Sequence, residues 1–228
     1  MRALRILLIV AVVLGGVFVG IDRLAVAYAE SEAASRVKLS GARSDSVEVD
    51  IKGFPFLTQV MDKRFGEVDV VAKGVETTAG SRKVKISELT AGLRDVTVTG
   101  DWAGARAGSA SGTALISYAD LTAASDREAT VAYGGDGKLK VTGGVEIMGR
   151  TLTRSVLSTV TIVNGDTIKV RADEVPGEGI PGVEELVRKR TDFERPIGLI
   201  AGMKVEKVEA TPEGLAVAVS GKDIALGG

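Results

Sequence analysis

The chain has 228 residues, 29 basic against 30 acidic for a formal net charge of -1, and it contains neither histidine nor cysteine. Without histidine, Ser-His-Asp and Cys-His catalysis and histidine-containing zinc sites are excluded. The balanced charge offers no electrostatic reason to bind nucleic acid, and the lack of cysteine means that an exported domain must be held by burial rather than by disulfides.

Ala3 to Ile21 is apolar apart from Arg5; Arg2 precedes it and Asp22-Arg23 closes it. At about 1.5 Å per residue this stretch makes roughly 28 Å of helix, close to the hydrocarbon thickness of a bilayer. Arginines at its start favour keeping that end in the cytoplasm, so the rest of the chain is expected outside. A secretory signal has a similar composition, and Ala27-Tyr28-Ala29 offers a small-x-small cleavage site. That site lies beyond Asp22 and Arg23, and the apolar run exceeds an ordinary signal core. Residues 1–21 are therefore read as a signal anchor in preference to a cleaved signal peptide, and residues 22–228 as an exported domain with a substantial core.

Asp22 to Lys38 is alanine-rich and free of Gly and Pro, so it continues the helix, with Leu24, Ala27, Tyr28, Ala34 and Val37 toward a partner and Ser40-Gly41 as its end. Period-two alternation then begins. Val47, Val49 and Ile51 alternate with Glu48, Asp50 and Lys52, and the pattern recurs at Val68 to Lys73, Val84 to Ile86, Val96 to Val98, Leu139 to Val141 and Val160 to Ile162. Asn164-Gly165-Asp166 predicts a hairpin into Ile168, Val170 and Ala172, and Thr211-Pro212-Glu213-Gly214 separates Met203–Val208 from Leu215, Val217 and Val219. Such strands make antiparallel sheets with one dry face.

Two short helices are expected, Tyr118 to Ser125 and Pro181 to Arg190; Glu184-Glu185 and Arg188-Lys189-Arg190 in the second complement the helix dipole rather than mark acid-base chemistry. The Gly/Ala/Ser-rich Gly100 to Gly112 reads as a long mobile loop. It carries the sole tryptophan, Trp102, which either packs on the loop or dips into a membrane interface.

The chemically distinctive stretch is Gly53-Phe54-Pro55-Phe56-Leu57-Thr58-Gln59-Val60-Met61, ending in Phe65. It holds three of the five phenylalanines of a chain that is 4% aromatic. Pro55 keeps Phe54 out of the helical region and sets a turn. Phe54, Phe56, Leu57, Met61 and Phe65 either plug the end of a core or line the mouth of an apolar cavity suited to acyl chains.

The order of a strand, Gly53-Phe54-Pro55-Phe56-Leu57-Thr58-Gln59, an acidic-valine strand, Ile116-Ser117-Tyr118-Ala119-Asp120-Leu121, and last Gly214-Leu215 leading to Ser220-Gly221-Lys222-Asp223-Ile224 resembles an actinobacterial exported family, that of the lipomannan elongation regulator LmeA. The resemblance covers essentially the whole chain after the anchor. It implies a cell-envelope protein that binds phospholipid, with the aromatic motif and, less directly, Ile116, Tyr118 and Leu121 as lipid contacts. It also implies a curved sheet of the tubular lipid-binding type wrapping helices.

The expected fold is thus α+β and β-rich, antiparallel, after an N-terminal transmembrane helix. The expected function is non-enzymatic binding of phospholipid or a related acyl-chain lipid in an apolar groove at the outer face of the cytoplasmic membrane, in support of envelope glycolipid or lipoglycan assembly and with an envelope-assembly protein as a further partner. No catalytic residue, metal or cofactor is expected, since no nucleophile-elbow, Ser-x-x-Lys or metal-carboxylate pattern occurs. The alternative is a membrane-tethered scaffold that uses the same sheet to bind a protein and keeps a solid core.

Overall fold

The computed structural model describes residues 2–39, 43–79, 82–100, 102, 104–123, 129–147, 150–173 and 192–226. It opens on one long helix, α1 (Arg2–Leu39). Leu8–Ser35 of this helix is long and apolar enough to cross a membrane, with a mean hydropathy of 2.2. Then come β1 (Ser46–Lys52), α2 (Phe56–Asp62), β2 (Arg64–Ala79), β3 (Arg82–Thr99), β4 (Gly104–Ile116), α3 (Tyr118–Ala123), β5 (Ala129–Gly135), β6 (Lys138–Ile147), β7 (Arg150–Val163), β8 (Thr167–Ala172), β9 (Phe193–Pro196), β10 (Met203–Ala210) and β11 (Leu215–Leu226). The fold is α+β and β-rich, with antiparallel sheets behind an apolar N-terminal helix, as the alternation required.

Among the described residues the strands form a six-stranded sheet, ordered β1-β2-β3-β4-β11-β10, and a five-stranded sheet, ordered β5-β6-β7-β8-β9. Both hairpins named from the sequence form. Val163 pairs with Thr167 around Asn164, Gly165 and Asp166, and Asn164 and Gly165 take φ of 55° and 76°, left-handed values that these two residue types adopt most readily. Ala210 pairs with Leu215 across the second turn. The patterns at Val84 and at Val96 belong to one 18-residue strand, β3.

Gly100 to Gly112 differs from expectation. Rather than a mobile loop, most of it is β4, paired on both sides, with Thr99↔Gly104 through Glu88↔Leu115 on β3 and Leu226↔Ala105 through Leu215↔Ile116 on β11. Its residues are poor strand formers in isolation; two flanking strands supply the backbone partners, and context overrides propensity. The helix expected from Tyr118 ends its described portion at Ala123, and the one expected over Pro181 to Arg190 lies outside the described residues.

Rows of side chains run straight across the six-stranded sheet. One row is Val49, Val70, Ala91, Gly112, Val219 and Val205; the rows on either side, on the same face, are Ile51, Val68, Leu93, Ala110, Gly221, Met203 and Val47, Ala72, Leu89, Ala114, Val217, Val208. Beyond the second of these the pairing of three strand pairs skips one transverse row, Gly66, Asp95, Gly108 and Asp223. Asp95 and Asp223 sit at φ 52° and 54°. Past the skip, Phe65, Val96, Ala107 and Ile224 pack in the same cluster as Val68, Leu93, Ala110 and Met203. Residues three apart on an unbroken strand face opposite ways, so this crease turns one end of the sheet over and lets both flanks share a single apolar face. Gly108 keeps this place uncrowded, since a Cβ would lie a tight 3.1 Å from Asp95 Cβ.

Two apolar clusters cover this face. The first joins Val26 of α1 and Phe56 of α2 to Phe65, Val96, Ala107, Ala110 and Ile224. The second joins the sheets, with Leu139 and Val170 of the five-stranded sheet against Val205, Ala210, Leu215 and Val217 of the six-stranded one.

Candidate lipid-binding face

The Gly53 to Gln59 motif builds the joint between α1 and the sheet. Gly53 leaves β1 at φ 101°, where a Cβ would stand 2.9 Å from Gln59 Nε2. Pro55, extended, precedes the first turn of α2, which has no cap from its own flank. Asp22 of α1, fully buried, takes that role: Leu57 N–H donates to Asp22 Oδ1 at 2.9 Å, while Arg23 Nη2 donates to Oδ2 at 2.7 Å. An acidic group at a helix N-terminus satisfies free amides and suits the dipole. Thr58 Oγ1 donates to Pro55 O, and Gln59 bridges two strands, donating to Lys52 O and accepting from Gly66 N–H, both at 3.2 Å.

The helix α1 docks through Asp22, Ala25, Val26 and Ala29, spaced as one helical face, with Glu30 accepting the Ile51 N–H at 2.9 Å. Of the residues expected toward a partner, Leu24, Ala27 and Tyr28 are exposed on the side away from this docking face, Ala34 is half-buried, and the side chain of Val37 lies outside the described residues. Small residues win the docking face because they let the helix approach β1 closely; Leu24 and Tyr28, on the other side, stay exposed.

The aromatic residues divide. Phe56 and Phe65 are buried, their ring centroids 6.2 Å apart, and Leu57 packs half-buried beside them. Phe54 points outward, edge-on to Phe18 of the apolar helix at 6.4 Å and under the Arg23 guanidinium at 5.3 Å. Met61 is 84% exposed. Trp102, in the β3–β4 turn at φ 66°, stands edge-on to Phe65 and half-exposed.

Ile116, Tyr118 and Leu121 sit at the opposite end of the face. Ser117 caps α3 by accepting the Asp120 N–H at 3.1 Å and donating to the Asp120 carboxylate at 2.6 Å. Tyr118 and Leu121 pack on the second cluster, and the Tyr118 hydroxyl donates to Thr211 O in the β10–β11 turn. Burial pushes the Tyr118 phenol above its ordinary value. Ile116 is half-buried beside Leu215.

The two groups of sequence-predicted residues are therefore not one lining; they stand at the two ends of the face. Between them lies a stretch that sequence reasoning passed over. On β4 its side chains are Ala110, Gly112 and Ala114, flanked by Leu89, Ala91 and Leu93 on β3 and by Val217 and Val219 on β11. Ala91, Leu89, Leu93, Ala114 and Val219 are only half-buried. Small residues thus occupy a central strand between larger ones. Alternation of alanine and glycine with Arg106, Ser109, Ser111 and Thr113 is the signal that would have found it.

Other features lack this character. A concavity of about 290 Å³ over β8 and β9 is lined by Lys169, Val170, Arg171, Asp192 and Glu194, a mostly charged set. Among the described residues no group of three or more acidic side chains is placed to hold a metal ion.

A family model described as LmeA-like phospholipid-binding matches residues 20–220. No curated protein and no solved structure matches the chain. The matched span takes in the joint, the small-residue stretch of β4 and both ends of the apolar face, and on it the chain belongs to the LmeA-like phospholipid-binding family.

Proposed function

We propose that the protein is a non-enzymatic lipid-binding domain, residues 22–228, held by residues 1–21 at the outer face of the cytoplasmic membrane, and that the small residues of its six-stranded sheet floor a shallow apolar trough along which it carries the acyl chains of a phospholipid. The observation that carries this is the half-buried apolar surface centred on Ala91, Gly112 and Ala114 between two packed clusters. Each methylene laid on such a surface contributes about 0.8 kcal/mol, and a phospholipid has many. Phe56, Leu57 and Phe65 close the membrane-proximal end of the trough, and Ile116, Tyr118 and Leu121 the distal end. Support of envelope glycolipid or lipoglycan assembly, through an envelope-assembly protein, is the process such a carrier serves.

The test compares wild type with Ala91→Phe by native mass spectrometry of the full chain, with thermal unfolding of both. Ala91 is half-buried, so a phenyl ring has room to fill the trough without displacing the core. Phospholipid retained by wild type and lost by Ala91→Phe, with melting preserved, supports the reading. Equal retention, or no phospholipid on wild type, favours the scaffold that binds a protein through the same sheet.

A further inference from the structure

The exposed apolar side chains of the sheet domain are not scattered. Among the described residues beyond α1, the exposed large apolar side chains are Phe54, Met61, Trp102, Tyr133, Leu157 and Ile200. Phe54 precedes α2 and Met61 lies in its last turn, and Trp102 occupies the β3–β4 turn, where Lys63 Nζ donates to Gly100 O at 3.3 Å and ties the end of α2 to that turn. Ile200 precedes Gly202, whose Cβ would stand 3.0 Å from Ile224 Cδ1, in the row of Phe65. Four of the six thus share one end of the six-stranded sheet.

That end is the one from which the apolar helix leaves. The strand β1 runs antiparallel to α1: Ile51 meets Glu30, Gly53 O lies 3.5 Å from Arg23 Nη2, and Phe54 meets Phe18. Successive residues of β1 therefore approach the apolar part of the helix, and Phe54 arrives at it. Aromatic rings and flexible apolar side chains at this level are the composition of a membrane–water interface.

We propose that this end of the domain, through Phe54, Met61, Trp102 and Ile200, is seated in the headgroup and upper acyl region of the same bilayer that α1 crosses, so that the long strands stand upright on the membrane and the trough opens next to it. This rests on the anchor reading of residues 1–21. Apolar tips buried a short way into the interface gain by the area removed from water, and α1 supplies the entropy of association by holding them there.

Trp102 is the only tryptophan and reports directly on its own surroundings. The full chain is reconstituted in vesicles of phosphatidylcholine and phosphatidylglycerol, and its emission is compared with vesicles brominated at a shallow or a deep acyl position. Two relocated probes accompany it, Met61→Trp and Leu157→Trp, each combined with Trp102→Phe. Met61 and Leu157 are 84% and 42% exposed, so both accept the larger ring, and Leu157 lies on the other sheet. The expected result is strong quenching of Trp102 and of Met61→Trp by shallow bromine, weaker quenching by deep bromine, and none for Leu157→Trp. Quenching of Trp102 without Met61→Trp assigns the effect to lipid held in the trough and overturns the docking. Failure of the chain to float with vesicles overturns the anchor reading together with it; flotation with all probes unquenched overturns the docking alone.

Discussion

Asp22 and Leu57 lie 35 positions apart and are joined by one hydrogen bond of 2.9 Å from the Leu57 N–H to Asp22 Oδ1, which fixes the start of α2 to the side of α1. The carboxylate is fully buried, and its other oxygen is held by Arg23. The apolar helix and the sheet domain therefore share a rigid corner.

Replacing this carboxylate tests the corner. Asp22→Ala leaves the first amides of α2 buried without an acceptor and is expected to cost about 1–3 kcal/mol, whereas Asp22→Asn, which keeps an acceptor for Leu57, costs less. Thermal unfolding of the two reconstituted variants against wild type measures this. Equal melting of all three would show that α2 is held by its apolar contacts alone.

Gly221 is expected to be intolerant. An added Cβ would stand 2.5 Å from Gly202 O and 3.0 Å from Met203 Cα, both backbone atoms. Gly221→Ala therefore forces β10 and β11 apart at a cost of about 1–3 kcal/mol. Gly143→Ala, whose Cβ meets nothing within 4 Å, serves as the matched control and leaves the urea midpoint unchanged or raised.

Acid sensitivity is expected from Asp173. Lys138 Nζ at 2.8 Å, with the Thr159 hydroxyl donating at 2.6 Å, holds its carboxyl below the usual carboxylate range. A depressed folded value contributes stability that is complete above the unfolded value, about 4, and is lost as pH falls through the lower folded value. Urea midpoints measured from pH 6 to pH 2 should therefore fall more steeply for wild type than for Asp173→Asn. Parallel curves would remove Asp173 from the acid response.

Tyr118→Phe separates anchoring from lipid contact at the distal end. The ring stays and the bond to Thr211 O is lost, so stability is expected to fall by about 0.5–1.5 kcal/mol while phospholipid retention is unchanged. Loss of retained phospholipid with unchanged melting would give the hydroxyl a direct part in binding.

Alternation made β1, the arms of both late hairpins and the two ends of β3 legible, because one wet and one dry face leave an unmistakable period. The β4 strand was illegible for the converse reason. Ala105, Ala107, Ala110, Gly112 and Ala114 carry too little apolar surface to register, and the crease at Gly108 breaks their phase. The aromatic motif was visible, but what each residue does there was not: Asp22, 35 positions away, decides where Leu57 sits, and no local pattern encodes a cap supplied from another element. The docking face of α1 escaped notice because it is made of alanine, valine and a carboxylate rather than of its largest side chains.

The crease at Gly66, Asp95, Gly108 and Asp223 runs across four strands at a single level, so the lengths of those strands are tied to one another. One residue inserted into β3 between Gly92 and Asp95 would shift its turn-over point against its two neighbours, β2 and β4, and send Val96 to the side opposite Phe65 and Ala107. These strands can change length only as a set of four.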